Sequence, residues 1–105
     1  VAAKHGIIGL TKVTALENAT TGVPANAICP GWVLTPLVQA QVDARAKNLG
    51  ISIEEAKRGL LSEKEPSQQF TTPEELGELA VFLCGPASGN IRGAAWVMDG
   101  GWSAQ

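Results

Sequence analysis

Only two stretches of this 105-residue sequence read as buried strands, and they lie far apart. The first covers residues 23–29 (VPANAIC) and the second residues 94–98 (AAWVM). About 65 mainly helical residues separate them, and a long helical crossover is what two parallel strands require. Both runs are almost continuously apolar, as expected for parallel strands covered on both faces. A sheet of only two strands would leave most of its backbone edges unpaired. The expectation is therefore an α/β fold of which this chain holds part, with the remaining strands upstream, rather than a self-sufficient domain.

The intervening sequence is punctuated by helix signals. Residues 1–20 carry Ala3, Ile7, Leu10, Val13, Leu16 and Ala19 at helical spacing and run into the breaker cluster Thr20-Thr21-Gly22. Thr35-Pro36 places a capping hydroxyl before a proline in the first turn, and a helix follows over 37–48 until Gly50. Ser52-Ile53-Glu54-Glu55 is a capping box that opens a second short helix. Residues 62–71 (SEKEPSQQFT) read as a polar loop. Thr72-Pro73-Glu74-Glu75 starts another helix, with Leu76, Leu79, Ala80, Phe82 and Leu83 on its apolar face and Gly85-Pro86 at its end. Residues 87–93 read as a loop, and Asp99-Gly100-Gly101 terminates the second strand.

Composition removes several classes of function. The net charge of −2 and the lack of a Lys/Arg run exclude the basic footprint of a nucleic-acid binder and argue against an anionic membrane surface. No apolar stretch is long enough to span a bilayer. Cys29 and Cys84 form no CxxC pair and read as buried free thiols, which suits a reducing, cytoplasmic compartment. His5 is the only histidine, and a lone histidine makes a poor metal site, so no metal is expected.

Three local patterns then coincide: Val1-Ala2-Ala3-Lys4-His5-Gly6 opening a helix, Asn26-Ala27-Ile28-Cys29-Pro30-Gly31-Trp32-Val33-Leu34-Thr35-Pro36, and Gly93 followed by Val97-Met98-Asp99-Gly100-Gly101. In this order and spacing they resemble the short-chain dehydrogenase/reductase family, over essentially the whole chain. The resemblance implies the C-terminal part of a doubly wound, parallel-sheet Rossmann-type α/β fold, with residues 1–105 forming part of one domain and 36–70 its substrate lid. It also implies that Lys4 is the family lysine that follows the catalytic tyrosine by four residues. That tyrosine would precede Val1, and the sequence contains none. Residues i and i+4 share a helix face, and an ammonium there lowers the pKa of a phenol toward neutrality. The family lysine also bonds the nicotinamide ribose.

From the residues alone, ligands in open α/β sheets bind beyond the carboxyl ends of the strands, which places a cofactor at 30–36. The resemblance makes Pro30, Gly31, Val33 and Thr35 cofactor contacts, the backbone of Val33 and the hydroxyl of Thr35 holding the carboxamide and a nearby phosphate. Thr35 is equally a helix cap. Leu60-Leu61-Ser62-Glu63-Lys64, Pro66-Ser67, Gln69-Phe70 and Gly100-Gly101-Trp102 bring the resemblance closest to members that interconvert (R)-3-hydroxybutyrate and acetoacetate with NAD. It gives Gln41, with Gln39 as the alternative, the substrate carboxylate, and makes Trp32 and Trp102 the pocket walls. Read without it, Trp32 and Trp102 are packing residues and Gln41 an exposed amide; Trp96 reads as core or subunit interface. The whole enzyme is expected to be a cytoplasmic homotetramer using NAD on a small 3-hydroxy or 3-keto acid. The chain alone, without the tyrosine, the serine and the glycine-rich turn, is expected to be inactive. Other family chemistry, such as 3-oxoacyl reduction, and a non-catalytic chain that binds intact subunits are the alternatives.

Overall fold

A computed structural model describes residues 1–104. The elements run α1 (Ala2–Glu17), β1 (Ala27–Pro30), α2 (Pro36–Leu49), α3 (Ile53–Ser62), α4 (Pro73–Cys84) and β2 (Ala95–Met98), with short 3-10 turns at Pro86–Ser88 and Trp102–Ala104. The strands pair in parallel, β1 beside β2. Two compact units divide the chain: Val1–Cys29 with Gly77–Val97, and Pro30–Leu76 with the segment from Met98 onward.

In the first unit, α1 ends at Glu17 rather than reaching Thr20, and β1 begins at Ala27 rather than residue 23. Arg92 is the physical reason. Its guanidinium donates to the carbonyls of Asn18 (2.9 Å), Thr21 (2.8 Å) and Val23 (3.3 Å), and its Nε to that of Gly89 (3.1 Å). Those carbonyls are thereby drawn away from both helix and ladder. Asn26 completes the connection, its amide nitrogen donating to Ile91 O (2.7 Å) and its amide oxygen accepting from Ala94 N (3.1 Å). Pairing of the strands starts only beyond these bonds, where Ala27 N donates to Ala94 O (2.9 Å). Trp96 meets Phe82 edge to face, with ring centroids 6.1 Å apart, and its indole nitrogen is buried without a hydrogen-bond partner among the described residues. Ala15 is the only buried residue of α1, while Ile7, Leu10, Val13 and Leu16 are exposed. Both cysteines are free, but neither is buried as expected: Cys29 is half-buried and Cys84 exposed.

The second unit holds the hydrophobic core. Val38, Val42 and Ala46 of α2 pack on Ala56 and Leu60 of α3, flanked by Trp32, Leu34, Ile51 and Phe70. The helices form where local chemistry satisfies their ends. Thr35 Oγ1 accepts from Val38 N (3.3 Å) with Pro36 in the first turn, and Gly50 closes α2 in the left-handed region at φ 64°. Ser52 and Glu55 form the reciprocal capping box of α3. Thr72 and Glu75 repeat it at α4, with Thr72 N donating to Glu75 Oε2 (2.7 Å) and Glu75 N to Thr72 Oγ1 (3.1 Å). Among the described residues no helix is long and apolar enough to cross a membrane.

Candidate active site

The second unit brings together the loop that leaves β1 and the turn that leaves β2. Gly31 N donates to Met98 O (2.9 Å), so the chain still runs beside β2 where it turns outward. The segment between α3 and α4 then threads alongside both. Thr71 N donates to Trp32 O (2.9 Å), and Leu34 N to Thr71 O (3.1 Å), forming a parallel bridge between Val33 and Thr71. Thr71 Oγ1 donates to Met98 O (3.2 Å), and Ser67 N to Gly100 O (2.9 Å). Residues 62–71, read from sequence as a polar loop, therefore contribute two buried polar side chains, Glu65 and Thr71.

Gly31 is required by close packing within the protein. A Cβ there would lie 2.9 Å from Asp99 Cα and against Glu65 Oε1. Gly100 and Gly101 are left-handed, at φ 60° and 92°, which L side chains rarely adopt. Asp99 fixes this turn: its carboxylate accepts from Gly101 N (3.1 Å) and Ser103 N (2.9 Å). A hydrogen bond from the Ser103 side chain, the largest effect, holds the Asp99 carboxyl below the usual aspartate range; desolvation, second in size, opposes it, and the backbone N–H groups of Ser103 and Gly101 add to the lowering.

The residues singled out in the sequence fall as follows. Pro30, Gly31, Trp32, Val33 and Thr35 lie on one continuous stretch between β1 and α2. The bridge to Thr71 uses the carbonyl of Trp32 and the amide of Leu34, so Val33 keeps its N–H without an acceptor among the described residues. Thr35 caps α2, leaving the positive end of the helix beside that amide. Trp32 is half-buried against the α2/α3 core, so it packs as well as facing outward. Gln41 is exposed on α2, whereas the Gln39 amide is committed to Asp43 Oδ1 (2.8 Å). Trp102 is 45% exposed with Lys64 Nζ 4.8 Å from its ring centroid. Lys4 belongs to the first unit, exposed on α1.

A surface hollow of 660 Å³ between α3, residues 68–70 and the start of α4 contains none of these residues. Among the described residues, no three His, Cys, Asp or Glu side chains are grouped to hold a metal ion. Sequence reasoning missed Glu65 and Thr71, and read Asp99 only as the end of a strand. Only the glycines at 31 and 100, whose Cβ positions are filled by the Glu65 carboxyl, could have signalled the first of them.

A family model described as Enoyl-(Acyl carrier protein) reductase matches residues 1–103. Over all 105 residues the chain is 70% identical to a D-beta-hydroxybutyrate dehydrogenase of Cupriavidus necator and 48% identical to one of Rhizobium meliloti, in each case covering 41% of the relative. It thus spans about two fifths of the length of these proteins. Among solved structures, a short chain dehydrogenase family protein from Francisella tularensis matches with a TM-score of 0.86 and 35% identity, over 99% of this chain and 43% of that one. An L-sorbose reductase from Gluconobacter frateurii, complexed with NADPH and L-sorbose, matches with a TM-score of 0.90 and 28% identity, over 99% and 40%.

Proposed function

Because the chain belongs to the short-chain dehydrogenase/reductase family, we propose that the whole protein containing it is an NAD-dependent oxidoreductase that interconverts (R)-3-hydroxybutyrate and acetoacetate. The observation that carries this reading is the 70% identity to a D-beta-hydroxybutyrate dehydrogenase, over an alignment that spans all 105 residues. Solved relatives hold nicotinamide cofactors, NADPH or NADP in four and NADH in a fifth. The stretch 30–35 fits such a group on its own chemistry. It follows a strand's carboxyl end, offers the unpaired Val33 N–H to a carboxamide oxygen, and sets the Thr35 hydroxyl and the α2 N-terminus toward a phosphate. When bound, the cofactor supplies the hydride chemistry.

The chain's own residues bind and orient. Lys4 bonds the ribose and lowers the pKa of the acid/base tyrosine, which the rest of the protein contributes because this sequence has none. Gln41 donates its amide to the substrate carboxylate, and Trp32 and Trp102 limit the pocket to a short chain. Alone, the chain lacks the proton-transferring group and does not turn over. The exposed apolar residues of α1, with Val81, Phe82 and Val97, call for cover by the rest of the whole protein or by further subunits, and the assembly proposed is a homotetramer.

The test is to express the full-length protein and follow NAD reduction with (R)-3-hydroxybutyrate, its S enantiomer and a 3-oxoacyl thioester, repeating with NADP. Turnover of the R acid with NAD is expected. Lys4→Ala should lower kcat about a hundredfold or more. Gln41→Ala should raise KM for the acid about tenfold and leave KM for NAD nearly unchanged. Turnover of the thioester but not of acetoacetate would overturn the substrate assignment.

A further inference from the structure

We propose that Glu65 is a positioning residue, a buried anchor that sets both aromatic walls of the substrate pocket. The proposal rests on the reading of Trp32 and Trp102 as those walls. Glu65 lies in a polar segment whose neighbours Lys64, Pro66 and Ser67 are exposed, yet it is itself only 1% exposed. Its Oε1 accepts the Trp32 N–H at 2.5 Å, while Oε2 is buried with no hydrogen-bond partner among the described residues. A carboxyl oxygen left unpaired in the interior costs stability. An acidic residue at this point in a surface segment would ordinarily face water, and an unsatisfied buried group calls for an explanation.

The surrounding geometry provides one. Glu65 and Thr71 between them hold both polar atoms of the Trp32 backbone, because Thr71 N donates to the Trp32 carbonyl (2.9 Å). Trp32 packs on the core cluster shared by α2 and α3, and α2 also carries Gln41. On its other side the Glu65 carboxyl fills the space that a Cβ at Gly100 would need, two residues before Trp102. Ser67 N bonds Gly100 O, and Lys64 lies over the Trp102 ring. One four-residue stretch thus ties the peptide of one tryptophan and the turn carrying the other. The carboxyl wedged between two glycine turns fixes their separation. Its role is in aligning the pocket rather than in strengthening the fold.

The experiment compares Glu65→Ala, Glu65→Asp and Glu65→Gln in the full-length protein. Amide hydrogen exchange over residues 30–35 is measured together with KM for 3-hydroxybutyrate, KM for NAD and kcat. Glu65→Ala should speed exchange at Trp32 at least tenfold, as expected for loss of a protecting acceptor. It should also raise KM for the hydroxy acid about tenfold, with KM for NAD within about twofold. Glu65→Gln keeps the Oε1 acceptor and should return both readouts to within about twofold of the parent. Glu65→Asp keeps the carboxyl but shortens its reach, so it should follow alanine; it is read in alanine's place should the alanine variant fail to fold. Unchanged exchange at Trp32 in the alanine or aspartate variant would overturn the anchor. So would equal losses in every kinetic parameter that glutamine does not restore. A parent enzyme that ignores 3-hydroxy acids would refute the proposed function instead, and the exchange readout would still decide the anchor.

Discussion

Alanine at position 31 probes how tightly the two turns are packed. The added Cβ would lie 2.9 Å from Asp99 Cα and against Glu65 Oε1. A carboxyl oxygen can swing aside, but the Asp99 backbone has little freedom. Its carboxylate is bonded to Gly101 N and Ser103 N, and the preceding Met98 carbonyl accepts from Gly31 N (2.9 Å) and Thr71 Oγ1 (3.2 Å). Overpacking of this kind costs about 1–3 kcal/mol. Against it stands about 0.4–1 kcal/mol from the lower entropy of the unfolded chain, available in full because Gly31 is not in the left-handed region. Taking the middle of each range, the net is a destabilisation of about 1.3 kcal/mol, or a Tm lower by about 3–5 °C in a domain of about 150–250 residues. Calorimetry on the full-length protein measures it, with Gly22→Ala as the control. A Cβ at Gly22 meets nothing within 4 Å, so that variant should gain about 0.4–1 kcal/mol. A Gly31→Ala protein as stable as its parent would refute the close packing of Gly31 on Asp99.

Two further perturbations separate other parts of the fold. Arg92→Lys replaces a planar fork that reaches three carbonyls with a single ammonium; the urea midpoint should fall by an amount equivalent to about 1–2 kcal/mol, and exchange should rise over residues 19–24. Asp99 has a folded-state pKa below its unfolded one, so the stability it contributes is present above the ordinary value of 3.8 and is lost as pH falls through the lower folded value. Asp99→Asn should therefore lower the thermal midpoint at neutral pH, and the gap from the parent should close on acidification through that window. A gap that does not vary with pH would assign the effect to packing rather than to the carboxylate.

What was legible in the sequence follows the range of the forces involved. Thr35, Ser52 with Glu55, and Thr72 with Glu75 each satisfy amides within their own first turn, so short patterns locate the starts of α2, α3 and α4. The start of β1 was misplaced because the carbonyls of Thr21 and Val23 are captured by Arg92, about 70 residues away in sequence, and no local propensity registers a partner at that distance. The site divides in the same way. Pro30-Gly31 and Asp99-Gly100-Gly101 were readable as strand ends, and that places the stretch 30–35 where a ligand belongs. Glu65 was not readable, since its own neighbours Lys64, Pro66 and Ser67 are exposed and its burial is decided by two turns that lie 34 residues before it and 35 after it. Yet those turns carry a trace of it. Gly31 and Gly100 both lack the side chain that would collide with the Glu65 carboxyl. Two glycines at the ends of neighbouring strands mark a space that a third segment fills, and an acidic residue between them in sequence is a candidate to fill it.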